Sequence, residues 1–298
     1  MNEKLQSIEN RRLEIEKQHK KNILIGVLTL IPAILFVGLG VTSELTVLII
    51  LGIVIFIVSI FFFGRASAEA SKFRKIIKRE LIHALLAEEF EEVIYDPKST
   101  IPVSRINATG TIKRPDRFYG EDYIKGSYKG VGFEVSDVDL KQRVERRDQN
   151  GNVHVSYETY FKGRWYIYKF QKHFDQVLKV VEGRGNYVNR KNLVKFDTES
   201  IEFNKKFDIF ATSQEFGFYL ITSSMIEKLL ELEKLHRGSI LYCFMNNELH
   251  IGVNDRKNYL EFKLKTPINE ETLDIFMSDI ELIPAIINEF RLDSVKFK

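Results

Sequence analysis

Two uncharged segments near the start of the chain constrain its fold more than any other feature. Residues 23–41 hold no charged side chain, and a helix of this length spans about 28 Å, close to the hydrocarbon thickness of a bilayer. Residues 45–63 form a second uncharged segment of equal length. Only Thr42, Ser43 and Glu44 separate the two, so the chain must reverse direction there. The sequence therefore predicts a transmembrane helical hairpin.

The positive charges around the hairpin predict its orientation, because Lys and Arg close to a span resist translocation. Lys17, Lys20 and Lys21 precede the first segment, and Arg65 opens a basic run after the second, whereas the turn has no Lys or Arg. Cys243 is the only cysteine, which agrees with a reducing compartment. A signal peptide would be shorter and would show a cleavage site. We expect a multi-pass protein of the cell membrane with two spans and with cytoplasmic N- and C-termini.

The charge content limits the classes of function. No ionisable residue lies inside either span, so the hairpin offers no path for ions or protons and favours a tether. A net charge of +3 is too small to indicate nucleic-acid binding.

Helical extensions are predicted on the cytoplasmic side of both spans, over residues 1–22 and 64–95. Both carry an apolar stripe at helical spacing, and because they leave the membrane side by side we expect them to pack together. The apolar positions are Leu5, Ile8 and Ile15 in the first extension and Phe73, Ile77, Leu81 and Leu85 in the second.

A basic cluster lies on the second extension, and it has two interpretations. In the first, it determines the topology and has a solvated face. In the second, it contacts anionic lipid head groups, and each Lys or Arg near the surface contributes about 1 kcal/mol to the binding free energy. Its members are Lys72, Arg74, Lys75, Lys78 and Arg79.

The rest of the chain predicts a linker over residues 96–118 and a cytoplasmic α+β domain over residues 119–298. Alternating apolar residues predict an antiparallel β-rich sheet. The predicted turns are Lys129-Gly130, Asn150-Gly151 and Asn246-Asn247. Segments Trp165–Phe170 and Val177–Val181 are predicted as successive strands of the meander, and Phe207–Phe210 as a further short strand. The aromatic residues Phe161, Trp165, Tyr166, Tyr168 and Phe170 are typical of a packed sheet face.

C-terminal helices complete the predicted domain. Ser223 is a candidate helix cap with Glu227 near the capping-box position, and the helix runs to Lys234. A final helix follows Pro267 and ends near Phe290. The predicted fold class is α+β, with an N-terminal transmembrane helical hairpin and cytoplasmic helical extensions before the β-rich domain.

Several short motifs together resemble a bacterial membrane family known as domain of unknown function 3137. They are Tyr123, Gly126, Gly130, Val131, Phe133, Glu134, Ser136 and Val138, then Phe161-Lys162-Gly163, Glu202-Phe203 with Phe207, and Tyr219-Leu220-Ile221-Thr222 with Met225. The likeness extends from the second span to about residue 255. It implies an N-terminal transmembrane pair and a LemA-like membrane partner, but no activity, cofactor or catalytic residue. The chain departs from the family pattern at Ser223, where a proline is common.

Motifs for catalysis are absent from the sequence: it has no P-loop, no G-x-S-x-G, no H-E-x-x-H and no paired cysteines. His154, His173, His236 and His250 lack the spacing of metal ligands. Glu134, Asp137 and Asp139 lie close together in sequence, but acids near turns are usually solvated. We predict no cofactor, no metal site and no catalytic residue.

Two hypotheses of function remain. The first is a membrane-tethered cytoplasmic interaction module that binds a membrane-associated protein, a second copy of itself or lipid head groups. The alternative is a membrane-bound enzyme that acts on lipid or envelope precursors at the inner leaflet. That enzyme would require a concave polar pocket in the domain.

Overall fold

The computed structural model describes residues 3–149, 151–183, 187–235, 238–261 and 263–298, without the side chains of residues 3, 4, 74–77 and 235. Two compact units are present, Met1–Ala84 with Phe262–Phe276, and Leu85–Glu261 with Met277–Lys298. Helices account for 47% of the chain and strands for 32%, with long apolar helices before an antiparallel sheet. The predicted α+β fold class is confirmed.

Two long helices form most of the first unit. Helix α1 spans Glu3–Thr42, and helix α2, Thr46–Glu89, continues into the second unit. Between the apolar segments 23–41 and 45–63, Ser59 Oγ donates to Gly26 O at 2.7 Å. Between the predicted extensions, Arg11 contacts Glu80 at 2.9 Å. These contacts confirm that the predicted extensions pack against each other; the Ile77 side chain of the predicted stripe lies outside the described residues.

A buried arginine joins α1 to the segment 262–276 within this unit. Arg12 is 3% exposed, and its guanidinium donates to Glu9, to Glu16 and, at 2.7 Å, to Leu264 O. Glu9 also accepts a hydrogen bond from Ile268 N at 3.0 Å. Residues Phe262–Phe276 cluster with the first unit, whereas the sequence predicts one domain over residues 119–298; the buried network around Arg12 contacts Leu264 and Ile268 of this segment.

The described residues of the second unit form the strands β1 Glu91–Asp96, β2 Arg117–Tyr128, β3 Val131–Arg147, β4 Val153–Glu182, β5 Val194–Phe196, β6 Phe207–Ala211 and β7 Ser239–Asn254. These seven strands make one antiparallel sheet in the order β1-β2-β3-β4-β6-β5, with β7 also paired to β4. The predicted β2–β3 hairpin is confirmed. Arg147 pairs with Val153 across the second predicted hairpin, whose Asn150 lies outside the described residues.

Two strand predictions are wrong. The segments on either side of residues 171–176 form one 30-residue strand, β4, instead of two. The predicted hairpin at Asn246-Asn247 is continuous strand β7, and both of its halves pair with β4. Asn246 has a φ of 54° opposite Phe174, where the ten residues Lys169–Leu178 of β4 face the five residues Phe244–Glu248 of β7. The extra residues of β4 form an irregularity opposite the predicted turn, because both halves of β7 pair with the same neighbouring strand.

Short helices surround the sheet. They are α3 Val103–Ala108, α4 Ile201–Lys206, α5 Gln214–Leu220, α6 Ser223–Leu235, the longer α7 Glu270–Phe290, and a 3₁₀ turn at Val295–Phe297. The cap of α6 is Thr222, whose Oγ1 accepts from Met225 N at 3.3 Å, so Ser223 and Glu227 do not form the predicted capping box. The predicted linker 96–118 contains α3, and residues 91–96 form β1 instead of prolonging the predicted helix 64–95.

Candidate functional site

The basic cluster on α2 does not form one uniform exposed face. Lys72 and Arg79 are exposed, whereas Lys78 is only 8% exposed. The side chains of Arg74 and Lys75 lie outside the described residues. Burial of the Lys78 side chain departs from the solvated face that the first interpretation of the cluster expects at that position. Head-group contact by the other members stays a prediction.

The three candidate carboxylates do not form one site. Alternation along β3 places Glu134 on the opposite face of the sheet from Asp137 and Asp139. Asp139 is partly exposed and accepts a hydrogen bond from Thr159 at 2.9 Å. Asp137 is only 5% exposed, so it is the member with an unusual environment.

A cavity of about 300 Å³ opens beside Asp137 in the second unit. Its lining includes Glu121, Asp137, Asp139, Lys162 and Asn258. A concave polar pocket, the feature that the enzyme hypothesis requires, is therefore present. What this pocket can do depends on whether its buried acid is free to react.

Both oxygens of Asp137 are occupied by groups of the protein. Oδ1 accepts from Arg164 Nε at 3.0 Å and Oδ2 accepts from Tyr259 N at 2.7 Å. Arg164 is 1% exposed, and its guanidinium also lies 3.9 Å from the centroid of the Tyr259 ring. Burial raises the pKa of Asp137 to about 6, and Arg164 opposes that rise. The geometry favours a structural role, in which Asp137 neutralises a buried guanidinium.

A second polar network lies around Arg105 of α3. Its Nη1 donates to Glu134 at 2.7 Å and its Nη2 to Glu248 at 2.8 Å, while Tyr123 donates to the same Glu134 oxygen at 2.8 Å. The network thus ties α3 to strands β2, β3 and β7. Sequence reasoning missed Arg105 and Glu248, because no local pattern marks a contact between residues 143 positions apart.

His250 extends this network into the core, where it is 2% exposed. Trp165 Nε1 can only donate, and it lies 3.3 Å from His250 Nδ1, so Nδ1 is the acceptor. The proton of the neutral ring is then on Nε2, which donates to Glu248 at 3.1 Å. The hydrogen bond from His250, together with Arg105, lowers the pKa of Glu248. Since both ring nitrogens are engaged, His250 is a structural residue in this arrangement.

Cys243 and Lys179 form a buried pair on neighbouring strands. Cys243 is fully buried, and burial raises the pKa of its thiol to about 12. Lys179 is 7% exposed, and its ammonium donates to Asn189 O at 3.1 Å; burial lowers its pKa. The lysine therefore anchors the loop before β5 to the sheet.

Metal ligands are not gathered anywhere in the described part of the chain: no group of three or more His, Cys, Asp or Glu side chains is placed to hold an ion. His154 and His173 are exposed, and His236 lies outside the described residues.

Comparisons with known proteins give little beyond the family. A search of curated proteins found no match. A crystal structure of the mycobacterial trehalose monomycolate transport factor A, TtfA, is 8% identical and covers 71% of this chain and 94% of that chain. Its TM-score of 0.39 is too low to assign a fold or a function. Residues 159–292 of the chain match the family described as "Protein of unknown function (DUF3137)", which confirms the family resemblance. The match includes the motifs from Phe161 to Met225 but begins after those at residues 123–138, and it extends beyond the predicted limit near residue 255.

Proposed function

We propose that this chain is a membrane-anchored interaction protein whose hairpin lies in the cell membrane and whose second unit binds a membrane-associated protein. The outer faces of α1 and α2 support the anchor. Both helices are long and apolar enough to cross a membrane, and only 17% and 11% of their most apolar windows are buried by the chain. Apolar surface of this extent needs an apolar solvent, and a bilayer of about 30 Å has the matching thickness.

The first prediction concerns orientation. We expect Glu44→Cys, in the exposed turn between the helices, to react with a membrane-impermeant maleimide added to intact spheroplasts. Gln18→Cys, exposed on α1, should react only after permeabilisation. Positive charges on both flanks of the hairpin are the physical reason. The buried Cys243, with its raised thiol pKa, is expected to give no background signal, so it can stay in place.

The wild-type chain is the control for this labelling. If the maleimide labelled Gln18→Cys but not Glu44→Cys in intact spheroplasts, the orientation of the hairpin would be the opposite of the proposed one. Equal labelling of both variants in intact spheroplasts would contradict the proposal that the hairpin spans the membrane.

The partner surface that we propose is a β ribbon at the tip of the β3–β4 hairpin, formed by residues 142–147 and 153–158. Among the described residues, these pair in the sheet only with each other, because the pairing of β2 with β3 ends at Lys141 and that of β7 with β4 begins at Arg164. Val153 and Val155 are 49% and 46% exposed on this ribbon. A two-stranded ribbon is marginally stable alone, and its open edges are templates for another strand.

The aromatic residues of β4 are a weaker alternative to the ribbon. All five are buried, but they lie on both faces of the strand instead of the one predicted packed face, because alternation places Phe161 and Trp165 opposite to Tyr166, Tyr168 and Phe170. A partner cannot reach them without unfolding the unit, so their replacement would report on stability instead of binding.

The chemistry of the ribbon fits a protein with a free β-strand edge. Exposed valines share one face of the ribbon with the ion pair of Arg143 and Glu145, which provides specificity around an apolar contact. The family resemblance makes a LemA-like membrane protein the first partner to test and a second copy of this chain the next. Lys72 and Arg79 would hold the assembly near anionic lipids.

The second prediction tests the ribbon in the membrane. A photoreactive amino acid at position 155 should cross-link the full chain to one discrete membrane protein, or to a second copy, in intact cells. Val153→Asp should reduce this cross-link at least about tenfold, because it places a charge in the apolar contact.

Ile201 provides a matched control, since it is 72% exposed at the start of α4, away from the ribbon. The same probe at position 201 should give no such product. A cross-linked product of equal yield at both positions would overturn the ribbon as the partner surface.

A further inference from the structure

The geometry points to a ligand site in the second unit: a cavity between the start of α6 and the end of α7 binds a phosphate group, free or esterified in a lipid head group. This α6/α7 cavity has a volume of about 380 Å³. The polar side chains in its lining are Ser224, Lys228, Glu289, Arg291, Ser294 and Lys296. The inference does not depend on the ribbon or on the identity of a protein partner.

The charges of this cavity do not cancel. Lys228 is paired with Glu289, so together they contribute no net charge. Arg291 and Lys296 have no carboxylate partner among the described residues, which leaves two positive charges in the lining. Cations that converge without a counter-charge favour an anionic ligand.

Lys296 lies in a cationic surrounding that the fold does not neutralise. It is partly buried, its ammonium donates to Leu220 O at 3.2 Å, and it lies 5.1 Å from the centroid of the Tyr219 ring. Lys172 lies 5.2 Å from the centroid of the same ring. Burial, followed by repulsion from Lys172, lowers the pKa of Lys296. A bound phosphate would relieve this repulsion.

Arg291 occupies a backbone conformation that favours glycine. It follows the last residue of α7 with a φ of 50°, and its N–H donates to Asn288 O at 3.2 Å while Leu292 N donates to Ile287 O at 3.0 Å. This is a helix C-terminal motif in which glycine avoids the strain of a side chain. An arginine at this position therefore lowers the stability of the fold relative to glycine, and it places a charged side chain in the lining of the cavity.

The start of α6 adds donors of the right kind. Thr222 caps the helix through Met225 N, and the remaining N–H groups of a first turn have no acceptor inside the helix. Ser224 and Ser294 contribute hydroxyl groups to the lining. A helix start alone would not define a site. Here it lines the same cavity as Arg291 and Lys296, which have no carboxylate partner among the described residues. Phosphate, with several acceptor oxygens and a negative charge, matches this donor set.

The test is calorimetric titration of the full chain in phosphatidylcholine nanodiscs with inorganic phosphate and, separately, with a short-chain phosphatidic acid. We expect saturable binding of at least one probe. Lys296→Gln should weaken that binding at least about tenfold, since a charge-assisted hydrogen bond is lost. Binding of both probes indicates a site for the phosphate group itself, and binding of phosphatidic acid alone indicates a lipid head group.

Arg291→Gly separates binding from structure. This variant should raise the thermal midpoint of the second unit, because it relieves the positive φ, and should still weaken phosphate binding. Lys169→Gln, which removes an exposed lysine from β4, is the control and should change neither property. The inference fails if neither probe binds saturably, or if Lys169→Gln weakens binding as much as Lys296→Gln does.

Discussion

Replacement of Arg164 by methionine is expected to destabilise the second unit by about 3–5 kcal/mol at neutral pH, because it leaves a buried carboxylate without its partner. Asp137 is 5% exposed and would keep only its hydrogen bond from Tyr259 N. Urea denaturation of the full chain in detergent, followed by fluorescence, measures the loss. Trp165, the only tryptophan, is fully buried in this unit and reports on its unfolding.

The loss in Arg164→Met should depend on pH with a defined sign. The pKa of Asp137 is already raised to about 6, and removal of the guanidinium raises it further. A carboxyl group with a raised folded pKa stabilises the fold below its unfolded pKa, and this stabilisation is lost as pH rises through the folded pKa. The stability of the variant should therefore be closest to that of the wild type at about pH 4, near the unperturbed pKa of an aspartate. It should be furthest from that of the wild type above about pH 6, the raised pKa of Asp137.

Two further variants decide whether the buried pair is responsible. Asp137→Asn combined with Arg164→Met should recover a large part of the stability, since the uncompensated charge is gone. Arg143→Met, which breaks a pair whose side chains are 49% and 51% exposed, should cost less than about 1 kcal/mol. Strict additivity of the Asp137 and Arg164 variants would contradict the assigned role.

Local patterns predicted the parts of this fold that depend on neighbouring residues. The two long apolar helices and the β2–β3 turn belong to this group, because residues a few positions apart determine them. The contacts Arg12–Leu264 and Arg105–Glu248 join residues 252 and 143 positions apart, and no local pattern indicates such partners. The error at Asn246 has the same origin, since pairing with β4 overrode the turn signal.

The motifs that carry the family resemblance have structural tasks, which explains why they indicated no site. Lys129 and Gly130 have φ values of 51° and 75°, as a tight hairpin turn requires. A Cβ on Gly126 would lie 2.8 Å from the Phe133 ring. Ser136 Oγ accepts a hydrogen bond from Ile101 N at 3.1 Å and so holds the segment before α3. These residues stabilise the sheet. Most of the residues that line the α6/α7 cavity, in contrast, do not belong to the motifs.

Gly163 is the motif residue whose replacement should have the largest effect. It has a φ of 151°, in a region that other residues rarely adopt, and a Cβ there would lie 2.1 Å from Val253 O. Gly163 pairs with Val138 of β3 and directly precedes Arg164, where β4 begins to pair with β7. Both backbone strain and a clash with main chain would follow, so Gly163→Ala should cost at least about 3 kcal/mol in the free energy of unfolding.

Gly132→Ala is the matched control, because a Cβ at that position meets only Lys169 Cβ at an ordinary 3.8 Å. Alanine is favoured over glycine inside a strand, so this variant should be neutral or slightly stabilising, by up to about 0.5–1 kcal/mol. Trp165 fluorescence during urea denaturation measures both variants. Equal unfolding free energies for the two variants would show that position 163 tolerates a side chain. The fold of β4 would then not depend on a glycine at that position.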